Sequence, residues 1–287
     1  MEIYQMLKIL QKSVDTILSE SFGSFTKKFT NKIAYLYKKN TFKPYQIEKT
    51  IAGEKIQLII SDLFAKGWYD RPDHLDNWPE LVWLKENSLK KGDIVVDCGA
   101  NIGFTGLFFA KCVGEQGQVL GFEALPANAD IARKNIDLNQ VNNFEIRNQA
   151  VGSYHGTVEF NNYPNGSVGK TDGSKTINVP VVKLDEVFVG KKPTFLKIDV
   201  EGYEIEVLKG ATEILKTKPK LEIEIHCSCF SDRLSSVKEL LGLLPLSEYK
   251  IFLQLVSFEE ILPYVLTDVT PELLAKYDNV HLFALPK

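Results

Sequence analysis

Apolar and polar residues follow two different periods along this chain, and the changes of period predict its elements. Seven apolar runs have the length and composition of buried strands, namely 93–99, 118–124, 144–151, 193–202, 220–227, 250–256 and 279–285. The intervening segments 101–112, 127–139, 203–216 and 232–243 repeat their apolar residues at helical spacing. Strands that alternate with helices predict an α/β fold with a doubly wound, mainly parallel seven-stranded sheet, closed by an antiparallel pair at its end.

The amino-terminal quarter of the chain has a different pattern. Apolar residues spaced 4-3-4-3 between Ile3 and Ile17 predict one helix, and Phe25 to Leu36 predict a second. We therefore predict a helical or mixed extension over residues 1–75. The α/β domain then covers 76–287, with an insertion at about 155–183 that holds short strand-like runs around a polar, turn-rich tip.

The charge of the chain argues against nucleic acid as a partner. The net charge is only −3, with 44% apolar and 25% charged residues, so the protein lacks a basic footprint. Residues 1–43 nevertheless hold eight lysines and three acids, a net charge of +5, which leaves −8 on the remainder. This arm either contacts an anionic membrane surface or a second subunit, or it is a solvated helix face.

The sequence also gives expectations about compartment and metal. The first residues lack the apolar core of a signal peptide, and no run approaches the ~20 apolar residues of a membrane span. Four cysteines in 287 residues do not make a disulfide scaffold, so we expect a cytoplasmic protein. The stretch HCSC (226–229) has no second pair of ligands, and we predict no metal site there.

The loop after the first predicted strand indicates a cofactor. It reads Asp97-x-Gly99-x-Asn101-x-Gly103, whereas a dinucleotide-binding loop has glycine in place of Asn101. The Asp97 carboxylate would repel a pyrophosphate but would suit an ammonium or a sulfonium. Glu123 ends the next strand, where an acid commonly holds ribose hydroxyls. Together these residues predict S-adenosylmethionine; the alternative is that Asp97 caps a helix and Glu123 is a solvated strand end.

Four blocks of the sequence resemble the FkbM-type methyltransferases. They are GDIVVDCGANIGFTGLFFA, GFEALPANADIARKNIDLN, NQAVGSYHGTVEF and FLKIDVEGYEIEVLKGA, within residues 80–227. The resemblance implies a class I methyltransferase fold, S-adenosylmethionine as cofactor, and O-methylation of sugars or other hydroxyl-bearing metabolites. On these blocks and just before them, we predict the cofactor-binding residues to be Glu80, Asp97, Gly99, Asn101, Gly103, Phe104, Glu123, Ala124, Gln149, Ala150 and Asp199.

Methyl transfer to an alcohol benefits from a general base, and three residues are candidates. Asp199 and Glu201 follow the fourth strand and, alternating with Val200, turn to the same side. His226 ends the next strand on one face with Glu222 and Glu224, and its ordinary pKa is near neutrality. We predict Asp199, Glu201 and His226 as catalytic residues. The alternatives are that Glu201 caps the following helix and that His226 is a packed core residue.

The remaining polar and aromatic residues near the candidate site have less specific patterns. Lys197 is predicted to point to the opposite face and to be structural, and His74, His155 and His281 to lack comparable partners. The three tryptophans between 68 and 83 suit either a sugar ring or a packing role against the sheet. Tyr163 would belong to a lid.

The predicted function is transfer of a methyl group from S-adenosylmethionine to a hydroxyl of a glycan or small metabolite. Two alternatives stay open. One is a methyltransferase that acts on a protein or nucleic acid, and the other is a cofactor-binding scaffold without activity.

Overall fold

The computed structural model describes residues 38, 40–70, 78–162, 166, 168 and 175–287. These residues form two compact units. One holds the described residues up to Tyr45 together with Ile60–Asp70, and the other holds Gln46–Ile59 and the described residues after Asp70. The two predicted amino-terminal helices, His74 and Tyr163 lie outside the described residues, and the predicted boundary at residue 75 stays a prediction.

Numbered along the described chain, the strands are β1 (Tyr45–Ile51), β2 (Glu54–Ile60), β3 (Ile94–Cys98), β4 (Gln118–Phe122), β5 (Phe144–Arg147), β6 (Ala150–Val151), β7 (Gly156–Asn161), β8 (Thr176–Val182), β9 (Phe195–Ile198), β10 (Lys220–Ile225), β11 (Tyr249–Gln254), β12 (Leu262–Tyr264) and β13 (Val280–Pro286). The helices are α1 (Leu63–Tyr69), α2 (Pro79–Asn87), α3 (Phe104–Val113), α4 (Pro126–Leu138), α5 (Leu184–Val187), α6 (Glu204–Lys209), α7 (Thr212–Lys216), α8 (Arg233–Gly242) and α9 (Pro271–Leu274).

The main sheet has the spatial order β12-β11-β13-β10-β9-β3-β4-β5. Strands β10, β9, β3, β4 and β5 are parallel, and β13 runs antiparallel between β10 and β11. The predicted α/β fold with a mainly parallel sheet and an antiparallel closing pair is confirmed. The structure adds an eighth strand, β12, which pairs with β11 through three residues only.

The centre of this sheet consists of residues that are buried on both faces. All four residues of β9 are buried, as are Val95 to Cys98 of β3. Parallel strands covered by helices on both sides read as continuous apolar runs, which is why these strands were predictable. Polar residues within such strands are costly to bury, so Asp97 on β3 and Lys197 on β9 require an explanation.

Strands β7 and β8 of the predicted insertion, together with β6 just before it, form a second, three-stranded sheet of order β6-β8-β7. Strands β7 and β8 are antiparallel, whereas β6 pairs with β8 in parallel. A small apolar cluster that includes Phe160, Val179 and Val181 supports it.

One predicted helix is in fact two. The apolar spacing over 203–216 predicted a continuous helix, but the structure has α6 and α7 with Gly210 between them. Gly210 packs so closely on the main chain that an added Cβ would lie 2.0 Å from the carbonyl oxygen of Gly152.

Among the residues that the structure describes, no helix has both the length and the hydropathy needed to cross a bilayer.

Candidate active site

The backbone N–H groups of the loop between β3 and α3 are all hydrogen-bonded within the protein. Gly99 and Ala100 both donate to the carbonyl oxygen of Phe122, at 2.9 Å each, and Asn101 donates to Glu123 Oε2 at 2.8 Å. Ile102 donates to the side chain of Asn101, and the Gly103 N–H donates to Ala100 O. No N–H group from Gly99 to Gly103 therefore remains to bind a phosphate, as a dinucleotide-binding loop would require.

Three residues of this loop have left-handed backbone conformations. The φ angles are 87° at Gly99, 49° at Asn101 and 83° at Gly103. Glycine accepts this conformation without steric cost, and asparagine tolerates it better than most other residues. Gly103 then starts α3, where an added Cβ would lie 3.2 Å from Ala132 Cβ on α4.

Asp97 is a buried carboxylate without a hydrogen bond. Its residue is fully buried, and neither side-chain oxygen has a hydrogen-bond partner among the described residues. The nearest cation is Lys197 Nζ, 3.7 Å from Oδ1. Burial raises the pKa of Asp97 to about 6, although Lys197 opposes the shift. A buried acid with both oxygens unsatisfied is costly unless a ligand completes it.

Glu123 lies at the tip of β4, beside the same loop. Its Oε1 accepts from the Leu125 N–H and its Oε2 from the Asn101 N–H, each at 2.8 Å. Burial raises the pKa of Glu123 to about 7, and those two backbone donors oppose the rise. The side chain of Asn128 is a third hydrogen-bond partner of the carboxylate. A carboxylate has about four lone-pair positions, so Glu123 can still accept from a ribose hydroxyl.

These residues fit S-adenosylmethionine. Asp97 and the buried, partly unsatisfied Glu80 carboxylate can hold its positive charges, and Glu123 can hold its ribose. Phe104 is buried at the start of α3, and its ring centroid is 4.8 Å from that of Trp78. Two of the remaining predicted cofactor residues follow strand ends, Ala124 after β4 and Gln149 after β5. The next residue, Ala150, is the first of β6.

The predicted catalytic residues come together at the ends of β9 and β10. His226 Nε2 lies 3.8 Å from Asp199 Oδ1 and 3.5 Å from Glu201 Oε2. Asp199 and Glu201 have side chains that are 30% and 28% exposed, while His226 is buried. Glu201 has a left-handed φ of 52°, a conformation that few non-glycine residues adopt outside functional or tightly constrained turns.

Lys197 belongs to this site, contrary to the prediction. Its Nζ donates to Asp199 Oδ2 at 3.0 Å and lies between Asp199 and Asp97. Residues two apart on a strand share a face, so the predicted opposite orientation was wrong. Burial alone would lower the pKa of Lys197, but Asp199, Asp97 and Glu222 outweigh it and raise that pKa. Lys197 outweighs the burial of Asp199 and lowers the pKa of that carboxyl.

Glu204 is a site residue that the sequence reasoning missed. It is fully buried at the start of α6, and its Oε1 accepts hydrogen bonds from the Gly202 N–H at 2.9 Å and from His226 Nδ1 at 2.8 Å. Burial alone would lower the pKa of His226, but Glu204 and then Glu224 and Asp199 raise it to about 10. The helical periodicity of 203–216 identified Glu204 only as a helix residue, so no local signal distinguished it.

His281 also has partners, which corrects the prediction for that residue. Its Nδ1 lies 3.1 Å from Glu222 Oε1, and its Nε2 lies 3.7 Å from Glu224 Oε1. Antiparallel β13 brings His281 directly opposite Glu224. Burial acts to lower the pKa of His281, but Glu224 and Glu222 raise it to about 9. Glu80 adds a further carboxylate, whose own pKa is raised by burial.

Trp83 and Cys227 take packing positions. Trp83 packs its ring 4.9 Å from Phe252 on β11 and 4.9 Å from Phe283 on β13, as the packing interpretation predicts. Cys227 is buried with its Sγ 3.7 Å from Leu274 O, whereas Cys229 is exposed.

Comparison with known proteins relates this chain to methyltransferases. The profile of the Methyltransferase FkbM domain matches residues 97–253, more than half of the chain. A hexuronic acid methyltransferase, AglP, of Haloferax volcanii is 30% identical over an alignment of 155 residues that covers 51% of this chain and 62% of that protein. Methyltransferase 1 of Beauveria bassiana is 29% identical over an alignment of 143 residues that covers 40% of this chain and 57% of that protein. The chain thus spans about three fifths of the length of these curated relatives.

Among solved structures, an FkbM methyltransferase from Methylobacillus flagellatus KT aligns with a TM-score of 0.46 and 22% identity. The alignment covers 68% of this chain and 44% of that one. The profile match contains the β3 loop, Glu123 and the cluster at the ends of β9 and β10. The chain belongs to the FkbM family of methyltransferases.

Proposed function

We propose that this protein transfers a methyl group from S-adenosylmethionine to a hydroxyl of a glycan or small metabolite. The observation that carries the proposal is Asp97, a fully buried carboxylate whose oxygens have no hydrogen bond to any described residue. Lys197 lies 3.7 Å away, so the carboxylate lacks close donors rather than any cation, and a ligand with a donor or a positive charge would complete it. The N–H groups of the adjacent loop are already hydrogen-bonded and offer nothing to a phosphate. A sulfonium cofactor with an ammonium group meets both conditions.

The cofactor supplies an electrophilic methyl carbon and leaves as S-adenosylhomocysteine. The protein then has to align an acceptor oxygen with that carbon and accept the hydroxyl proton, and alignment alone lowers the barrier by several kcal/mol. Asp97 and Glu123 serve the cofactor side in this proposal. Asp199, Glu201 and His226 serve the acceptor side. Lys197 contacts both Asp199 and Asp97, so the acceptor side lies next to the cofactor side.

Two observations support a sugar as the acceptor: the negative charge of the cluster at the ends of β9 and β10, and the name of one relative. The cluster at the ends of β9 and β10 is rich in carboxylates, so a polyanionic nucleic acid would be repelled there. The Haloferax relative is named for a hexuronic acid. That likeness supports a sugar as acceptor, and the carboxylates of the site favour an uncharged sugar hydroxyl over an anionic group.

The test measures cofactor binding and turnover separately. Calorimetry with the full chain should detect S-adenosylmethionine and S-adenosylhomocysteine but not NAD. Glu123→Ala should weaken both by at least tenfold, since a hydrogen bond to a charged group is worth ~1.5–3 kcal/mol. Glu145→Ala, an exposed acid on the neighbouring strand β5, is the matched control and should bind normally.

Turnover is followed as label transfer from methyl-labelled S-adenosylmethionine to a panel of neutral sugars, uronic acids, polyols and glycan fractions. Label in an alkali-stable ether supports the proposal. Label only in protein or RNA, or equal affinity for NAD, would overturn it.

A further inference from the structure

Side chains at the neighbouring ends of β9 and β10 bring three possible ligand atoms close together beside the candidate acceptor site. Asp199, Glu224 and His226 each offer one atom, and all three atoms lie within 4.8 Å of one another. His226 Nε2 is 3.8 Å from Asp199 Oδ1 and 3.5 Å from Glu224 Oε1. These separations are longer than ordinary N–H···O hydrogen bonds, which are about 2.7–3.2 Å.

The spacing matches the ligands of a shared ion better than it matches a hydrogen bond. Ligand atoms at about 2.2 Å from one ion stand roughly 3.1 Å apart when adjacent and roughly 4.4 Å apart when opposite. The observed 3.5 Å and 3.8 Å lie between these two values, roughly 0.4 Å and 0.7 Å above the separation of adjacent ligands. Side-chain rotation alone can close that difference at Asp199 and Glu224, which are not fully buried.

The orientation of His226 is an independent observation. Glu204 lies outside the donor set, is fully buried, and its Oε1 lies 2.8 Å from His226 Nδ1. That contact directs Nε2 towards three acids, Asp199, Glu201 and Glu224, whose nearest oxygens lie 3.5–3.8 Å away. The side chain of His226 is only 4% exposed. A histidine whose second nitrogen is held by a carboxylate is the usual outer-shell arrangement of a metal ligand.

The charge of the surroundings also calls for a cation. The carboxylates that contact or flank the cluster within the described chain are Glu80, Asp97, Asp199, Glu201, Glu204, Glu222 and Glu224. The cationic groups among them are Lys197, His226 and His281. Even with every cationic group charged, negative charge remains in excess, and burying it uncompensated is costly.

We propose that Asp199, Glu224 and His226 bind one divalent cation. Two carboxylates and one imidazole suit an ion that accepts both oxygen and nitrogen ligands, such as Mn²⁺. This site differs from the cysteine-based one that HCSC suggested, since it uses His226 but no sulfur. It therefore revises the expectation of a protein without a metal.

The ion has a chemical use at this position. A divalent cation next to Asp199 can coordinate the oxygen of an acceptor hydroxyl, lower the pKa of that hydroxyl and orient it. This role rests on the proposed methyl transfer, whereas binding of the ion rests only on the geometry of the three side chains.

The test titrates chelator-treated full-length protein with Mn²⁺ and follows the electron paramagnetic resonance signal of the free ion. We expect one saturable site per chain. Glu224→Gln and His226→Gln should each weaken Mn²⁺ binding by at least tenfold. Glu213→Gln, an exposed acid on α7, is the matched control and should bind as the unchanged protein does. Thermal melting of each variant separates loss of a ligand from loss of the fold, and Asp199→Asn replaces any variant that does not fold.

Absence of a saturable site in the folded protein would overturn the proposal, as would full binding by both folded ligand variants. The outcomes also separate the two proposals. Mn²⁺ binding that depends on Glu224 and His226, without methyl transfer to any acceptor, supports the site and contradicts the proposed function. Methyl transfer that is unaffected by chelators, in a protein that does not bind Mn²⁺, supports the proposed function and contradicts the metal site.

Discussion

The Cα of Gly99 lies against the carbonyl oxygen of Asp199, so closely that an added Cβ would be 1.7 Å from that oxygen. The Asp199 N–H in turn donates to the carbonyl oxygen of Cys98 at 3.0 Å. These contacts join the cofactor loop after β3 to the end of β9. They explain why a residue without a side chain is required at the point where the two halves of the candidate site meet.

Replacing Gly99 by alanine should therefore destabilise the protein strongly. Gly99→Ala adds a clash with main-chain atoms to the strain of a φ of 87°. We expect a loss of more than ~3 kcal/mol in the free energy of unfolding, or no folded protein. Gly190→Ala is the control, because Gly190 has a φ of 73° with open space around it and should lose only ~1 kcal/mol. Urea denaturation measures both, and equal losses would contradict the importance of the contact.

Lys197 should be essential for stability because it compensates buried acids. Lys197→Met leaves Asp97 and Asp199 without the ammonium that lies 3.7 Å and 3.0 Å from them. Breaking a buried ion pair by removing one member typically costs ~3–5 kcal/mol. Lys250→Met, on the exposed side of β11, is the matched control and should change stability by less than ~0.5 kcal/mol. Similar melting temperatures for the two variants would show that Lys197 is dispensable.

Glu123 should make stability fall as the pH rises. Its ordinary pKa is 4.5 and burial raises the pKa in the folded protein to about 7, so the folded state retains a proton that the unfolded state loses. The free energy of unfolding should then decrease between pH 4.5 and 7, by on the order of 3 kcal/mol at most. Glu123→Gln should flatten that part of the profile.

The measurement is chemical denaturation from pH 4.5 to 8 for the wild type, Glu123→Gln and Glu145→Gln, the last being an exposed control. If Glu123→Gln follows the wild-type profile throughout, the carboxyl of Glu123 is not the group responsible.

His226→Ala should lower methyl-transfer turnover by two orders of magnitude or more and leave cofactor affinity within a few-fold. The imidazole is buried among the acids on the acceptor side, whereas Asp97 and Glu123 lie on the cofactor side. Asp199→Ala should reduce both turnover and affinity, because Asp199 shares Lys197 with Asp97. Steady-state kinetics with calorimetry checks both variants. Because its pKa is raised to about 10, His226 is protonated near neutral pH, so its expected role is to position the acids around it. Near-full turnover of His226→Ala would show that His226 only packs, and a large loss in Glu201→Ala would assign the proton acceptor to Glu201.

Local patterns in the sequence predicted a large part of the cofactor side. The buried run that ends at Cys98, the glycines of the loop and the acid at position 123 all lie within one β–α–β segment. Contacts such as the one between the Asn101 N–H and Glu123 Oε2 join residues that follow neighbouring parallel strands. The carboxyl ends of such strands share one edge of the sheet, so their proximity follows from the fold class alone.

The acceptor side depended on pairings that the order of residues does not reveal. His281 gained two acidic partners because β13 inserts antiparallel between β10 and β11. Glu204 contacts His226 at the start of α6, directly after the left-handed residues Glu201 and Gly202, across the neighbouring ends of β9 and β10. Helical spacing predicted an uninterrupted segment here, and the break at Gly210 arises from contact with Gly152, which is distant in sequence.

The sequence by itself determined the sheet, the loop and the chemistry of its acids, because apolar period, glycine and charge are properties of short segments. Only the tertiary structure decided which charges meet. The free energy of a buried charge depends on distances to groups on other strands, and register and strand order set those distances. The contacts of Lys197 with Asp97 and of His226 with Asp199 and Glu204 exist only after the strands have assembled.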